Sequence, residues 1–131
     1  MTPIFLDASY IVALINPRDQ NPSRANALVD QFETSPLLTT DAVLLEIRNG
    51  LARHFRRQAV EVVEDILTDD SARVIHLTPT LFGEGLALYA SRPDKDWGLV
   101  DCVSFVVMKR EGIAHVLAFD QHFVQAGFHL L

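Results

Sequence analysis

The sequence predicts an α/β fold, with a central, mostly parallel β-sheet flanked by helices. Short apolar runs bounded by turn residues alternate with segments of helical periodicity, the pattern of strands joined by crossover helices. Two of those runs, Phe5-Leu6 and Ala118-Phe119, are followed at once by an aspartate. A chain of 131 residues, 49% hydrophobic and 21% charged, is long enough for one packed core and short for two, so residues 1–131 are expected to form one domain.

Taken in order, Pro3-Ile4-Phe5-Leu6-Asp7 reads as a buried strand ending in a carboxylate. Ser9 to Ile15 follows as a short apolar helix, which Asn16-Pro17 breaks. Ser23 is the expected N-cap of a helix to about Glu33, stopped by Ser35-Pro36 before a brief strand, Leu37 to Thr39. Thr40 or Asp41 caps the next helix, where Leu44, Ile47, Leu51 and Phe55 share one face at about 100° per residue. Glu46, Asn49, Gly50, Arg53 and, if the helix persists, Arg57 lie opposite. Gln58 to Thr68 predicts an antiparallel partner helix, and Arg73 to Leu77 alternates as a strand. Pro79 suits the first turn of a helix. Beyond the charged loop Asp94-Lys95-Asp96, a helix is expected over Leu99 to Glu111, closed by Gly112. His115 to Phe119 and Phe128 to Leu131 complete the strands.

Composition removes several classes of function. The one cysteine, Cys102, forms no intramolecular disulfide, and five scattered histidines supply no Cys/His zinc framework. Neither Ile11 to Ile15 nor Leu99 to Met108 is long enough to span a bilayer, and the N-terminus lacks the pattern of a signal peptide. A soluble cytoplasmic protein without a membrane partner is expected. The balance of 17 acidic against 11 basic residues, net charge −6, denies nucleic-acid binding its usual electrostatic term. That sign reverses locally if acids gather around a divalent cation.

The acids are placed to do so. Asp7 and Asp120 follow strands, and in an open parallel sheet the carboxyl ends of strands form the ligand crevice. Asp101 falls in the first turn of its helix, where the macrodipole favours an anion, and Glu46 lies on a polar helix face. At about 5 Å and an effective dielectric near 20, each ionised pair repels by roughly 3 kcal/mol, so such a cluster takes up protons or recruits a cation. A ligand set of oxygens alone suits Mg²⁺ or Mn²⁺, and phosphodiester hydrolysis is the reaction such ions imply.

Phe5-Leu6-Asp7-Ala8-Ser9, Glu46 in a helix preceded by Thr39-Thr40, Asp96 to Phe105 with Asp101 at its centre, and Leu117-Ala118-Phe119-Asp120-Gln121-His122-Phe123 together resemble the PIN domains, and among them the VapC-like ribonuclease toxins. The resemblance covers nearly the whole chain. It implies a metal-binding acidic pocket, endoribonuclease activity, frequent homodimerisation and, in many cases, an antitoxin partner. Position by position, Asp7, Glu46 and Asp101 match the core metal-binding acids, Asp120 the fourth, and Ser9 the small hydroxyl residue two places after the first. Gly98 and Val100 depart from the Ser and Thr usual before the third acid.

Four residues are candidate substrate contacts: Ser9; Arg53 and Arg57, which belong to a basic cluster with His54 and Arg56 and project on Glu46's side of the helix; and His122, two places after Asp120. Asp96 is read as a solvated loop residue outside the core set, Cys102 as a buried small hydrophobe, and Trp97 as a cover for the core rather than a base-stacking platform. A haloacid-dehalogenase-type phosphatase needs a second aspartate two places after the first, where Ser9 stands. The stronger alternative to an RNA-cleaving enzyme is a catalytically weak PIN-like module that binds RNA or protein.

Overall fold

The computed structural model describes residues 2–16, 22–32, 34–51 and 53–131. Five strands form one parallel sheet: β1 (Ile4–Leu6), β2 (Leu37–Thr40), β3 (Ala72–Ile75), β4 (His115–Leu117) and β5 (His129–Leu130), in the order β3-β2-β1-β4-β5. The helices are α1 (Ala8–Ile15), α2 (Pro22–Phe32), α3 (Asp41–Gly50), α4 (Arg56–Thr68), α5 (Pro79–Ser91), α6 (Leu99–Glu111) and the short α7 (His122–Gln125), with a 3₁₀ turn at Arg53–Phe55. None of the described helices is long and apolar enough to cross a membrane.

The core lies between the sheet and these helices. Phe5 and Val116 of the central strands, Ile47 of α3, Met108 of α6 and Phe123 of α7 are buried to 2% exposure or less. Phe105 stands edge-on to both Trp97 and Phe123, with ring centroids 5.1 Å apart in each pair. Trp97 is buried, and its indole N–H donates to Gln125 Oε1 at 3.0 Å, so the ring covers the core as expected. Cys102 is wholly buried.

The caps form where the sequence placed them: Thr40 accepts from the Val43 N–H, Pro79 opens α5, and Gly112 closes α6 with φ 69°. Several boundaries differ from expectation, most of them for a tertiary reason. The helix carrying Glu46 ends at Gly50 rather than running on to Phe55, because Leu51 turns extended and is drawn into the core. A Cβ at position 50 would lie 2.8 Å from Val12 Cγ2, so glycine here lets α3 approach α1. α4 therefore begins afresh at Arg56, and Arg57 does not share a helix face with Glu46. β3 stops at Ile75, because Asp41 captures the next two residues: its carboxylate accepts from the Leu77 N–H at 2.9 Å and meets His76 Nδ1 at 3.2 Å. β4 stops at Leu117, since the Phe119 N–H is taken by Ser9 Oγ at 3.0 Å. α2 starts at Pro22, one residue before the expected Ser23 cap, as a ring fixing φ near −65° permits.

Candidate active site

The sheet order places β1 beside β4 at its centre. From β1 the chain steps outward to β2 and β3 on one side, and later to β4 and β5 on the other. Their carboxyl ends mark the point where the winding reverses, the usual ligand crevice of an open parallel sheet. An open cleft of about 820 Å³ lies there, and Asp7, Glu46, Asp101 and Asp120 all line it, with Ser9 and Asn16.

Asp7 leaves β1 and becomes the N-cap of α1. Its Oδ2 accepts from the Ser9 backbone N–H at 3.1 Å and from the Ser9 hydroxyl at 2.6 Å. The same hydroxyl accepts from Phe119, so one small side chain ties the first acid to the exit of β4. Asp7 is only 6% exposed. Burial pushes its carboxyl up to about 6, against the pull of both Ser9 bonds and with further upward pressure from Asp101 and Asp120.

Asp101 sits in the first turn of α6, and its Oδ2 accepts from the Gly98 N–H at 3.0 Å and from His122 Nδ1 at 3.0 Å. Gly98 has no side chain to return the capping bond. Burial again raises this carboxyl above its ordinary range, with Asp120 adding to the rise while the Gly98 N–H and His122 oppose it. Asp120 Oδ1 accepts from the His122 backbone N–H at 2.9 Å and lies 3.1 Å from His122 Nδ1. Asp101, Asp120 and His122 each bring a ligand-type atom within 4.8 Å of the others. Glu46 faces them from α3, solvent-exposed on the wall of the same cleft.

The three aspartates share a division of labour between their oxygens. The hydrogen bonds to Asp7 and Asp101 all fall on Oδ2, and those to Asp120 on Oδ1. Among the described residues, the second oxygen of each accepts no hydrogen bond from the protein.

Arg57 is exposed on α4 in an i,i+4 pair with Glu61 at 4.0 Å and is not part of the cleft wall, and the side chain of Arg53 lies outside the described atoms. Asp96 is exposed and does not line the cleft. Sequence reasoning missed Asn16, treated there only as part of a helix breaker. It follows Ser9 by seven residues, about two helical turns, and so shares the Ser9 and Val12 face of α1.

Fold and site together define a class. The sequence matches the PIN domain family over residues 4–129, and the chain belongs to that family. Within it, the chain is a homologue of the 23S rRNA-specific endonuclease VapC20 of Mycobacterium tuberculosis, to which it is 31% identical over 127 residues covering 95% of each protein. The crystal structure of that protein, described as a sarcin–ricin loop cleaving toxin, superposes with a TM-score of 0.84 over 96% of both chains. FitAcB from Neisseria gonorrhoeae, 18% identical, shares the fold with a TM-score of 0.64 over 98% of this chain and 96% of its own.

Proposed function

We propose that this chain is a divalent-cation-dependent endoribonuclease, the toxin of a toxin–antitoxin pair, which uses Asp7, Glu46, Asp101 and Asp120 to bind Mg²⁺ or Mn²⁺ in the cytoplasm. The observation that carries this reading is the convergence of the four acids on one cleft, where, among the described residues, one oxygen of each aspartate is tied down and the other accepts no hydrogen bond. Donors that are all oxygens fit a hard cation, and a buried carboxyl pushed up to about 6 marks a place where a positive charge is wanted. When bound, such an ion acidifies a water and neutralises charge on the scissile phosphate.

The chain's own groups set the rest of the chemistry. Ser9 fixes the rotamer of Asp7, whose carboxylate would help to hold the ion. Gly98 fixes Asp101 through its N–H. Glu46, exposed and on a different helix, lines the same cleft and would add a fourth carboxylate to the cation's ligands. Arg57, which does not line the cleft, and Arg53 are assigned to phosphates of RNA flanking the cleft rather than to the scissile one. The homology to VapC20 makes ribosomal RNA the first substrate to try, and a homodimer belongs to the same reading.

The test is cleavage by purified protein of ribosomes, a sarcin–ricin-loop fragment and unstructured RNA, in Mg²⁺, Mn²⁺ or EDTA, beside Asp7→Asn. Cation-dependent cutting that Asp7→Asn abolishes is the expected result. RNA binding without cutting under every condition would replace the enzyme with a binding module.

A further inference from the structure

We infer that His122 is a positioning residue, whose imidazole N–H selects which oxygen of Asp101 and of Asp120 is left to face a cation. This rests on the reading of the acids as cation-binding. His122 Nδ1 donates to Asp101 Oδ2 at 3.0 Å and lies 3.1 Å from Asp120 Oδ1. Each of those oxygens already accepts a backbone N–H, from Gly98 and from His122 itself. Ionised carboxylates only accept, so the hydrogen belongs to Nδ1. One ring nitrogen thus gathers the anchored oxygens of two mutually repelling carboxylates, and their second oxygens are the ones left over. A terminal carboxylate torsion is broad and nearly two-fold, so without this donor the two oxygens of each acid exchange more freely.

The turn that carries the ring is itself anchored. His122 opens α7, and the next residue, Phe123, is fully buried against Phe105 edge-on at 5.1 Å and tilted on Phe5 at 6.4 Å. Its side chain is 27% exposed, and it is absent from the lining of the cleft that the four acids share. It backs the acids from the side, a position suited to orienting them rather than to touching substrate or the ion. Groups that orient metal-binding carboxylates in this way commonly change affinity 10–100-fold when removed.

The experiment measures Mn²⁺ affinity on protein alone, without RNA, by calorimetry and by the EPR signal of free Mn²⁺. His122→Ala, lacking the donor, is expected to bind about 10–100-fold more weakly than wild type. His122→Asn places an amide N–H near the position of Nδ1 and is expected to restore most of the affinity. Should His122→Ala fail to fold, His122→Gln takes its place, carrying the same amide one bond farther out and expected to bind weakly. Unchanged affinity in the Ala or Gln variant, or an Asn variant no better than they are, overturns the inference while leaving the acids as the cation site. Nitrogen hyperfine coupling on bound Mn²⁺ that disappears with His122 also overturns it, by making the imidazole a ligand. No Mn²⁺ binding by wild type removes the cation reading itself, and this inference with it.

Discussion

Replacing Asp7 by Asn is expected to stabilise the cation-free protein while destroying its activity. Asp7 titrates near 6 in the folded chain against an ordinary value of 3.8, chiefly because it is buried. The folded state therefore binds the proton more tightly than the unfolded state does. As pH rises from about 4 to about 6 the unfolded chain ionises first, and stability falls by roughly 3 kcal/mol, from two pKa units at 1.36 kcal/mol each. Above that window the whole penalty persists. Asn carries no charge at any pH and caps a helix as well as Asp does, so it keeps the acceptor for the Ser9 N–H. It gives up the stronger, charge-assisted bond from the Ser9 hydroxyl, roughly 1 kcal/mol. The balance at pH 7 is a gain of about 2 kcal/mol, or roughly 7 °C in melting temperature for a domain of this size. Thermal and urea unfolding in EDTA at pH 7 and pH 4 measure it. At pH 4 the advantage should vanish, since wild-type Asp7 is then protonated in the folded state. Added Mn²⁺ should raise the melting temperature of wild type and leave Asp7→Asn nearly unmoved. A variant less stable than wild type at pH 7 in EDTA, or one whose advantage is as large at pH 4, would refute the reasoning.

Ser9→Ala removes the hydroxyl donor to Asp7 and strips the Phe119 N–H of its acceptor, so urea unfolding should show a loss of about 1–3 kcal/mol together with weaker Mn²⁺ binding by calorimetry. Gly85→Ala puts a Cβ 2.6 Å from Val103 Cγ2 where α5 meets α6; it should cost about 1–3 kcal/mol in the same assay and leave Mn²⁺ affinity unchanged. On the outer face of α5, Phe82, Leu86 and Tyr89 stand 43%, 45% and 49% exposed at i, i+4 and i+7, an apolar stripe that the proposed homodimer would cover. Sedimentation should give twice the 14.6 kDa of the chain for wild type and a single chain for Leu86→Lys.

What the sequence made legible is what neighbouring residues decide among themselves. An apolar triplet followed by Asp at residues 4–7 places a carboxylate at the end of a strand whatever the partner strands are. The caps at Thr40, Pro79 and Gly112 depend on one turn of chain each. The end of α3 was illegible because Leu51 and Phe55 keep the apolar spacing of a continuous helix. Only the approach of Val12 to Gly50, across 38 positions, reveals the break. The shortened β3 and β4 have the same origin, since Asp41 and Ser9 take backbone N–H groups that a strand would otherwise use, from 36 and 110 residues away. The acids could be listed from the sequence, but not which oxygen of each is anchored, because the donors include His122, 21 residues from Asp101.

The same distances explain how a chain of net charge −6 tolerates such a site. Asp7 caps α1 and Asp101 occupies the first turn of α6, so two helix N-termini face the acids, each worth about 0.3–1 kcal/mol to a nearby anion. The Ser9, Gly98 and His122 donors add a few kcal/mol more between them. Against this stand burial of Asp7 and the mutual repulsion of three carboxylates. The upward shifts of Asp7 and Asp101 state which side prevails: the fixed dipoles orient the acids without neutralising them. The remaining negative charge is met by a proton at low pH and, on the reading proposed, by a cation at neutral pH. A protein-supplied cation in the cleft would have satisfied the acids and left nothing for an exchangeable ion to do. Among the described residues no lysine or arginine lines the cleft, so on the reading proposed positive charge arrives from solution.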